Sequence, residues 1–444
     1  MKKTKTVLLF GIMALFLGFV TGGIIWILLK IINALTDLVW WCGSGNILYN
    51  LAVCLVGGVL IGLWQKKHGI LPHDTEQVIE ITKKDGRYPY NNLGVIAVAA
   101  ILPLVFGAAI GPEAGLTGII VGLCYWVGDS LKTRGDKLAK YFGDVSDCSS
   151  EAIAEAGISV MFGIVFGAPF AGIIGNLEES ENLGKTRKRL LEKKGRIFLY
   201  CLVAIGAVLA FFLLGKLLGA IANLTGNAKF IEFALGGGLP RFDKAGGLFG
   251  SFEVSKLIYF IPLIIAGMIL ALIYKGFDKI TKFLSEKIVK YRVVSCLIAG
   301  ACVAVCGFAL PDTMFSGEHT LGTLIDTWQS ADALILILTC LVKLLLTCIC
   351  INFGWRGGSI FPIIFCGTSM AFGLSLLIGG NLDGAFAAAV LLSAMYAFIS
   401  KKPLMAVAIL LLCFPITYII PMLIAAIPSA KVSAALDKLA TNKN

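Results

Sequence analysis

Long apolar segments separated by short polar ones run through almost the whole chain of 444 residues. A helix needs about 20 apolar residues to cross the hydrocarbon core of a bilayer. The segments that approach or exceed this length lie at about 7–35, 46–64, 92–128, 151–177, 197–222, 255–275, 292–309, 331–353, 359–379, 383–400 and 403–427. Apolar residues make up 58% of the chain and charged residues 15%, so the polar side chains are too few to cover a water-soluble globule. The sequence therefore predicts an all-α polytopic membrane protein, and it excludes a disordered chain or a secreted disulfide scaffold.

The first apolar segment follows Lys2, Lys3 and Lys5, as the apolar core of a signal peptide would. The segment continues as far as Leu29, which is too long for a cleaved signal peptide. We therefore expect a retained first membrane helix whose basic start faces the cytoplasm, and a multi-pass protein of the plasma membrane.

The formal net charge of +11 comes from basic clusters, which lie at about 132–140, 185–196 and 275–292. In a membrane protein such clusters are typical of cytoplasmic loops that face anionic lipid. No aromatic residues alternate with them in the way that base stacking requires. We therefore expect contact with membrane lipid and no binding of nucleic acid.

Glycine and proline interrupt the apolar segments at four places, at 111–113, 166–172, 357–362 and 402–404. Broken helices are tolerated in a membrane only where the freed backbone is buried in protein or lines a cavity. Two breaks in each half of the chain are typical of an inverted-repeat transporter. The sequence thus predicts a first membrane repeat at 1–222, a Gly-rich linker at 223–252 and a second repeat at 253–444. The broken half-helices of the two repeats are expected to meet at the bilayer midplane.

The start of a helix offers unpaired N–H groups and about half a positive charge. Several such starts that converge make an anion site without the cost of a full cation in the membrane. Gly111, Pro112, Gly358 and Ser359 suit this purpose, because glycine allows close backbone approach and proline favours a helix start. The alternative for each break alone is an ordinary kink, but the four together favour a site.

Glu113 lies in a stretch from residue 93 to 127 that is otherwise uncharged. An ionisable side chain there is costly and is a functional candidate. At a helix start its carboxylate can enter the anion site when ionised and leave it when protonated; the alternative is a simple cap of the first helical turn. Glu178 and Glu179 end a second apolar segment and by themselves fit a solvated interfacial pair. Lys343 is a further isolated charge, which either reaches the interface or balances the site.

These residues resemble the CLC family of chloride channels and chloride/proton antiporters. The Gly-Pro-Glu-Ala-Gly run at 111–115 is similar to the family motif G-[KR]-E-G-P, whose glutamate is the gating and proton-accepting side chain. The Phe-Gly-Ala-Pro-Phe-Ala-Gly run at 166–172 resembles F-N-A-P-L-A-G, and Glu179 follows it at the spacing of the internal proton glutamate of antiporters.

The second half continues the resemblance. Lys343, Thr347 and the run at 357–367 follow the pattern K-x-x-x-T…G-G-x-F-x-P…G. The runs at 402–404 and 421–422 match the later A-P-L…P-M segment. The similarity extends from about residue 18 to the C-terminus.

The sequence also departs from the family pattern. Gly69 stands where the family has an anion-coordinating serine, and Pro112 replaces a basic residue. Ile360, with Phe361 one position later, stands at the family's phenylalanine, and Val432 is the nearest match to its central tyrosine. These differences leave mainly backbone N–H groups at the central site, so the sequence predicts anion transport and leaves the anion open. No cytoplasmic nucleotide-binding CBS pair is expected.

The resemblance implies a homodimer in which each subunit exchanges an anion, chloride or a related one, for protons. Glu113 is then the extracellular gate and proton carrier, and Glu179, beside Glu178, the internal proton acceptor. The residues implied around the anion are Gly69, Gly111, Pro112, Gly358, Ser359, Ile360 and Phe361. No cofactor or metal is expected.

Three alternatives remain. A passive anion channel or a fluoride/proton exporter of the same fold differs only in coupling or in the anion. An intramembrane enzyme requires a nucleophile with its base or paired metal ligands, and the spacing of His68, His73 and His319 does not suit a metal site.

Overall fold

The structure is a computed structural model, and it describes residues 2–43, 45–142, 174, 178, 194–225, 241–242, 258–288, 290–379, 382–411 and 413–441. These residues form fourteen α-helices. The helices are α1 Lys2–Val39, α2 Ile47–His68, α3 Thr75–Asp85, α4 Leu93–Val105, α5 Glu113–Phe142, α6 Lys194–Thr225, α7 Phe260–Ile288, α8 Arg292–Ala309, α9 Glu318–Thr327, α10 Ala333–Asn352, α11 Ile360–Leu377, α12 Gly384–Ser400, α13 Pro403–Leu410 and α14 Ile419–Thr441.

Eight of these helices are long and apolar enough to cross a membrane: α1, α2, α6, α7, α8, α10, α11 and α14. Three shorter apolar helical stretches accompany them, at Leu93–Val105, Glu113–Val127 and Gly384–Ser400. The prediction of an all-α polytopic membrane protein is therefore confirmed. The predicted span at 151–177 and most of the linker at 223–252 lie outside the described residues, and the division into repeats stays a prediction.

The breaks divide the long apolar segments as the sequence predicts. The segment at 92–128 separates into α4 and α5, and the segment at 331–379 separates into α10 and α11. The predicted segment at 403–427 holds only the short α13, a 3₁₀ turn at Ile416–Tyr418 and the start of α14. Pro415 directly precedes this turn, and proline lacks the N–H that a continuous helix needs.

Two helix boundaries differ from the sequence prediction. The span expected at 255–275 continues to Ile288, so much of the basic cluster at 275–292 lies on α7 and not in a loop. The last helix begins at Ile419, inside the segment predicted at 403–427, and continues beyond that segment to Thr441. In both cases the polar residues that follow the apolar run stay helical, although α7 contains Gly276 and α14 contains Pro428 at this point.

Close backbone contacts join the helices in pairs, α1 with α6 and α2 with α8. A Cβ on Gly18 of α1 would lie 1.8 Å from the carbonyl oxygen of Val203 on α6. A Cβ on Gly62 of α2 would lie 2.6 Å from Cα of Val293 on α8. Small residues allow such approach where apolar area alone gives no driving force between helices in lipid. Helix α12 lies at the centre of the second half, with most of its residues buried against α7, α11 and α14.

Candidate functional site

Gly111 and Gly358 bring the two main breaks together. The N–H of Gly111 donates to the carbonyl of Gly358 at 2.7 Å, and the N–H of Gly358 donates to the carbonyl of Gly111 at 2.8 Å. Helix α5 begins two residues after Gly111, and α11 begins two residues after Gly358. The starts of two broken helices, one from each half of the chain, therefore meet at one point, as the sequence predicts.

The Glu113 side chain lies at this meeting point. Glu113 is the first residue of α5, and it is only 3% exposed. Its Oε1 accepts the backbone N–H of Ile360 at 2.6 Å, and the N–H of Phe361 also faces the carboxylate. Its Oε2 is buried and has no hydrogen-bond partner among the described residues. The carboxylate thus occupies the start of α11, the position that the sequence predicts for a transported anion.

The two glycines leave the space that this carboxylate fills. A Cβ on Gly111 would lie 1.9 Å from Glu113 Oε2, and a Cβ on Gly358 would lie 2.1 Å from Glu113 Cδ. Both distances are far below van der Waals contact. The N–H groups of these glycines bind each other, so the donors that face the carboxylate come from Ile360 and Phe361.

Lys343 and Thr347 on α10 hold the segments around the site. Lys343 is fully buried, and its Nζ donates to the carbonyls of Asp312 at 2.7 Å, Met314 at 2.9 Å and Phe315 at 3.1 Å. The side chain therefore does not reach the membrane interface. Thr347 Oγ1 donates to the carbonyl of Ala109 at 2.8 Å, two residues before Gly111.

Glu318 is a second carboxyl close to the site, and the sequence analysis did not identify it. It is the first residue of α9, on the segment that Lys343 anchors, and its charge acts on Glu113. Burial raises the pKa of Glu318 to about 7. The signal in the sequence is weak, because Ser316, His319 and Thr320 make the surroundings of Glu318 look like an ordinary polar loop.

Two tyrosines also lie near the site. The Tyr274 hydroxyl on α7 lies close to the side chain of Ser359, the residue before α11. Tyr396 on α12 is buried close enough to Glu113 for their charges to interact. Val432, the nearest sequence match to the family's central tyrosine, is exposed on α14. Tyrosines in apolar helices look like core residues, so no sequence signal distinguishes Tyr274 and Tyr396.

Glu178 occupies the start of a third broken helix. Its Oε1 accepts the N–H of Leu404 and its Oε2 accepts the N–H of Met405, both at 2.8 Å. These N–H groups belong to the first turn of α13, which begins at Pro403. Glu178 is 5% exposed, so it is not part of a solvated interfacial pair. Glu179 lies outside the described residues, and its role stays a prediction.

Gly69 and Pro112 differ in what they offer an anion. Gly69 is exposed after the end of α2, at a φ of 86°, and its N–H donates to the carbonyl of Gln65 at 2.9 Å. This N–H therefore already has a partner within the protein. Pro112 has no N–H and directly precedes α5. Their predicted place around the anion stays a prediction.

Three solved structures of other proteins superimpose on this chain. A cyanobacterial Cl⁻/H⁺ antiporter described as slow superimposes with a TM-score of 0.69 at 15% identity, over 96% of this chain and 94% of that one. A CLC-type fluoride/proton antiporter gives 0.66 at 16% identity, over 96% and 95%. A eukaryotic CLC transporter gives 0.66 at 14% identity, over 97% of this chain and 72% of that one.

These similarities establish the fold. No curated protein matches the sequence. Residues 53–434 match the family of voltage gated chloride channels, and this match covers most of the chain. The chain therefore belongs to the voltage gated chloride channel (CLC) family.

Proposed function

We propose that the protein is an anion/proton antiporter in which Glu113 exchanges places with the transported anion. The observation that carries this proposal is the hydrogen bond between Glu113 Oε1 and the N–H of Ile360 at 2.6 Å. Two solved relatives of the same fold are described as a Cl⁻/H⁺ antiporter and a fluoride/proton antiporter. Chloride or a related anion such as fluoride is therefore the proposed substrate, and protons are the counter-substrate.

The exchange follows from the charge of the carboxylate. Ionised Glu113 is itself an anion, and the N–H groups at the start of α11 stabilise it by a short, charge-assisted hydrogen bond. Protonation removes this charge and weakens the hydrogen bond, so the side chain leaves and a free anion binds the N–H groups. Each cycle thus couples the entry of an anion to the uptake of a proton by Glu113.

The inner part of the proposed proton route involves Glu178 and Glu179. Glu178 is held at the start of α13 by Leu404 and Met405. We propose Glu179 as the internal proton acceptor, with Glu178 fixing the backbone beside it. Other proposals are that the protein is a homodimer with one pathway in each subunit, that it lies in the plasma membrane, and that it is not an enzyme.

Flux measurements in liposomes test the proposal. Purified protein is reconstituted, an anion gradient of chloride, fluoride or nitrate is imposed, and the internal pH is recorded. Uphill proton movement driven by one of these anions supports coupled exchange and identifies the substrate. Anion flux without proton movement contradicts the proposal and supports a passive channel of the same fold.

A further inference from the structure

A hydrogen bond between two titratable side chains braces helix α5 close to Glu113. His73 lies in the loop between α2 and α3, and Tyr88 lies in the loop between α3 and α4. Nδ1 of His73 and the Tyr88 hydroxyl are 3.1 Å apart, and the two rings meet edge to face. Tyr88 is fully buried and His73 is half-buried. The contact therefore joins the two loops at the ends of α3.

Both loops pack against the first turns of α5. A Cβ on Gly118 would lie 2.9 Å from the Tyr88 hydroxyl. A Cβ on Gly115 would lie 3.6 Å from Cγ of Pro72, the neighbour of His73. Gly115 and Gly118 allow this close approach because they have no side chain. Interiors packed at this density leave little free space, so α5 cannot shift here unless the loops move as well.

The direction of α5 decides where the Glu113 carboxylate lies. Glu113 is the first residue of this helix, and its Oε1 accepts the N–H of Ile360 at 2.6 Å. A small rotation or shift of α5 would disturb this hydrogen bond, since hydrogen bonds weaken steeply outside a narrow range of distance and angle. The loops that hold α5 therefore also hold the carboxylate at the start of α11.

Protonation of His73 opposes its contact with Tyr88. A neutral imidazole can accept the Tyr88 O–H at Nδ1, whereas a protonated imidazole donates from both nitrogens. Two donors then face each other, and the buried hydroxyl must turn away to become the acceptor. Burial lowers the pKa of His73 below its ordinary value of 6.5, because the charged ring loses its hydration. The folded protein therefore favours the neutral ring.

The charged groups around His73 act in opposite directions. Asp74, on the same loop, favours the protonated ring, although its Oδ1 already accepts the N–H of Gln77 at 2.8 Å. Arg356, on the segment before α11, disfavours the protonated ring. The residues of α5 that face the two loops are glycines and bring no charge. Desolvation therefore decides the balance, and the ring becomes charged only as the pH falls below its ordinary range.

We propose that His73, acting through the Tyr88 hydroxyl, is a positioning residue for Glu113, and that protonation of His73 releases α5 and slows transport. The inference rests on the proposed antiport at Glu113 and adds a second titration to it. A low pH supplies protons to Glu113 and at the same time loosens the helix that presents it. Because the two effects oppose each other, substitutions at His73 separate them.

Anion flux in liposomes, at equal pH on both sides, tests this inference. His73→Asn keeps an acceptor near the position of Nδ1 but does not titrate. We expect the flux of the unaltered protein to fall about fivefold relative to His73→Asn between about pH 7.5 and 5, which corresponds to one net hydrogen bond. Tyr88→Phe removes only the hydroxyl. We expect it to lower the flux about fivefold already at neutral pH, and it carries the test if His73→Asn does not fold.

The matched control is His68→Asn, because His68 is a histidine in the last turn of α2 that stacks on Trp64. Its pH profile should follow that of the unaltered protein. Equal pH profiles of the unaltered protein and His73→Asn would overturn the inference. An unchanged flux in Tyr88→Phe at neutral pH would overturn it as well.

Thermal unfolding gives a readout that does not depend on transport. Because the folded state favours neutral His73, the stability that this group contributes is complete above pH 6.5 and is lost as the pH falls below it. The unfolding temperature of the unaltered protein should therefore fall below pH 6.5 relative to His73→Asn, and parallel profiles would overturn the inference. Anion flux without proton movement would contradict the antiport itself and leave these comparisons between variants valid.

Discussion

Oε1 of Glu113 accepts the backbone N–H of Ile360 at 2.6 Å, across 247 positions of the chain. The acceptor is the first residue of α5 and the donor is the first residue of α11. A side chain of the first half thus occupies the helix start of the second half. The same relation recurs where Glu178 binds the first turn of α13. Carboxylates from the first half therefore satisfy the free N–H groups of two broken helices in the second.

Replacement of Glu113 by glutamine should abolish proton coupling and leave some anion movement. Glutamine has nearly the same shape as glutamate. Its side-chain amide carries no negative charge, and it does not bind and release a proton. The measurement is simultaneous recording of anion flux and internal pH in liposomes. Proton transport that survives in Glu113→Gln would exclude Glu113 as the proton carrier.

Replacement of Gly358 by alanine should displace the Glu113 carboxylate. The new Cβ would lie 2.1 Å from Glu113 Cδ, so the side chain cannot keep its position. We expect altered coupling and a loss of stability of about 1–3 kcal/mol from the steric overlap. Gly276→Ala on α7 is the control, since a Cβ there meets nothing within 4 Å. Thermal unfolding and flux that match the control would show that the carboxylate does not need this space.

Replacement of Lys343 by methionine should destabilise the protein. Methionine fills most of the volume, but it leaves the carbonyls of Asp312, Met314 and Phe315 without the donor that they share. We expect a loss of about 3 kcal/mol, as for hydrogen bonds to a buried charged group. Lys216→Met on α6 is the matched control, because Lys216 is exposed. Equal unfolding temperatures for the two variants would contradict a structural role for Lys343.

The two inner glutamates should respond differently to the same substitution. Glu178→Gln places an amide NH₂ where an acceptor is needed at the start of α13, so we expect a loss of about 1 kcal/mol in stability. Glu179→Gln should retain anion flux with weakened proton coupling, because it removes the proposed proton acceptor. Thermal unfolding and proton-coupled flux of both variants distinguish the two roles. Unchanged coupling in Glu179→Gln would remove Glu179 from the proton route.

Glu318 should make stability depend on pH. Burial raises its pKa from the ordinary 4.5 to about 7 in the folded protein, so the folded state favours the neutral carboxyl. The associated stability is complete below about pH 4.5 and is lost as the pH rises through about 7. We expect the unfolding temperature of the unaltered protein to fall over this range relative to Glu318→Gln. Parallel pH profiles of the two proteins would show that the pKa of Glu318 is not raised on folding.

Much of the architecture follows from local features of the chain. Apolar length predicts the membrane helices, and the breaks at Gly111-Pro112 and Gly357-Gly358 predict where helices start. The isolation of Glu113 in an uncharged segment makes it a functional candidate without knowledge of any contact. These features depend on residues close together in the sequence, because the free energy of burying a helix in lipid is set by its own side chains and backbone.

The identity of the partners depends on packing between distant segments. Only the tertiary structure shows that Gly111 and Gly358 bind each other and that Glu178 caps α13. Glu318 looks like an ordinary loop residue until the fold brings its charge close to Glu113. A side chain in a sequence does not show which of many free N–H groups it will meet. That choice is made by the positions of whole helices, and it decides which buried carboxylates and N–H groups come together.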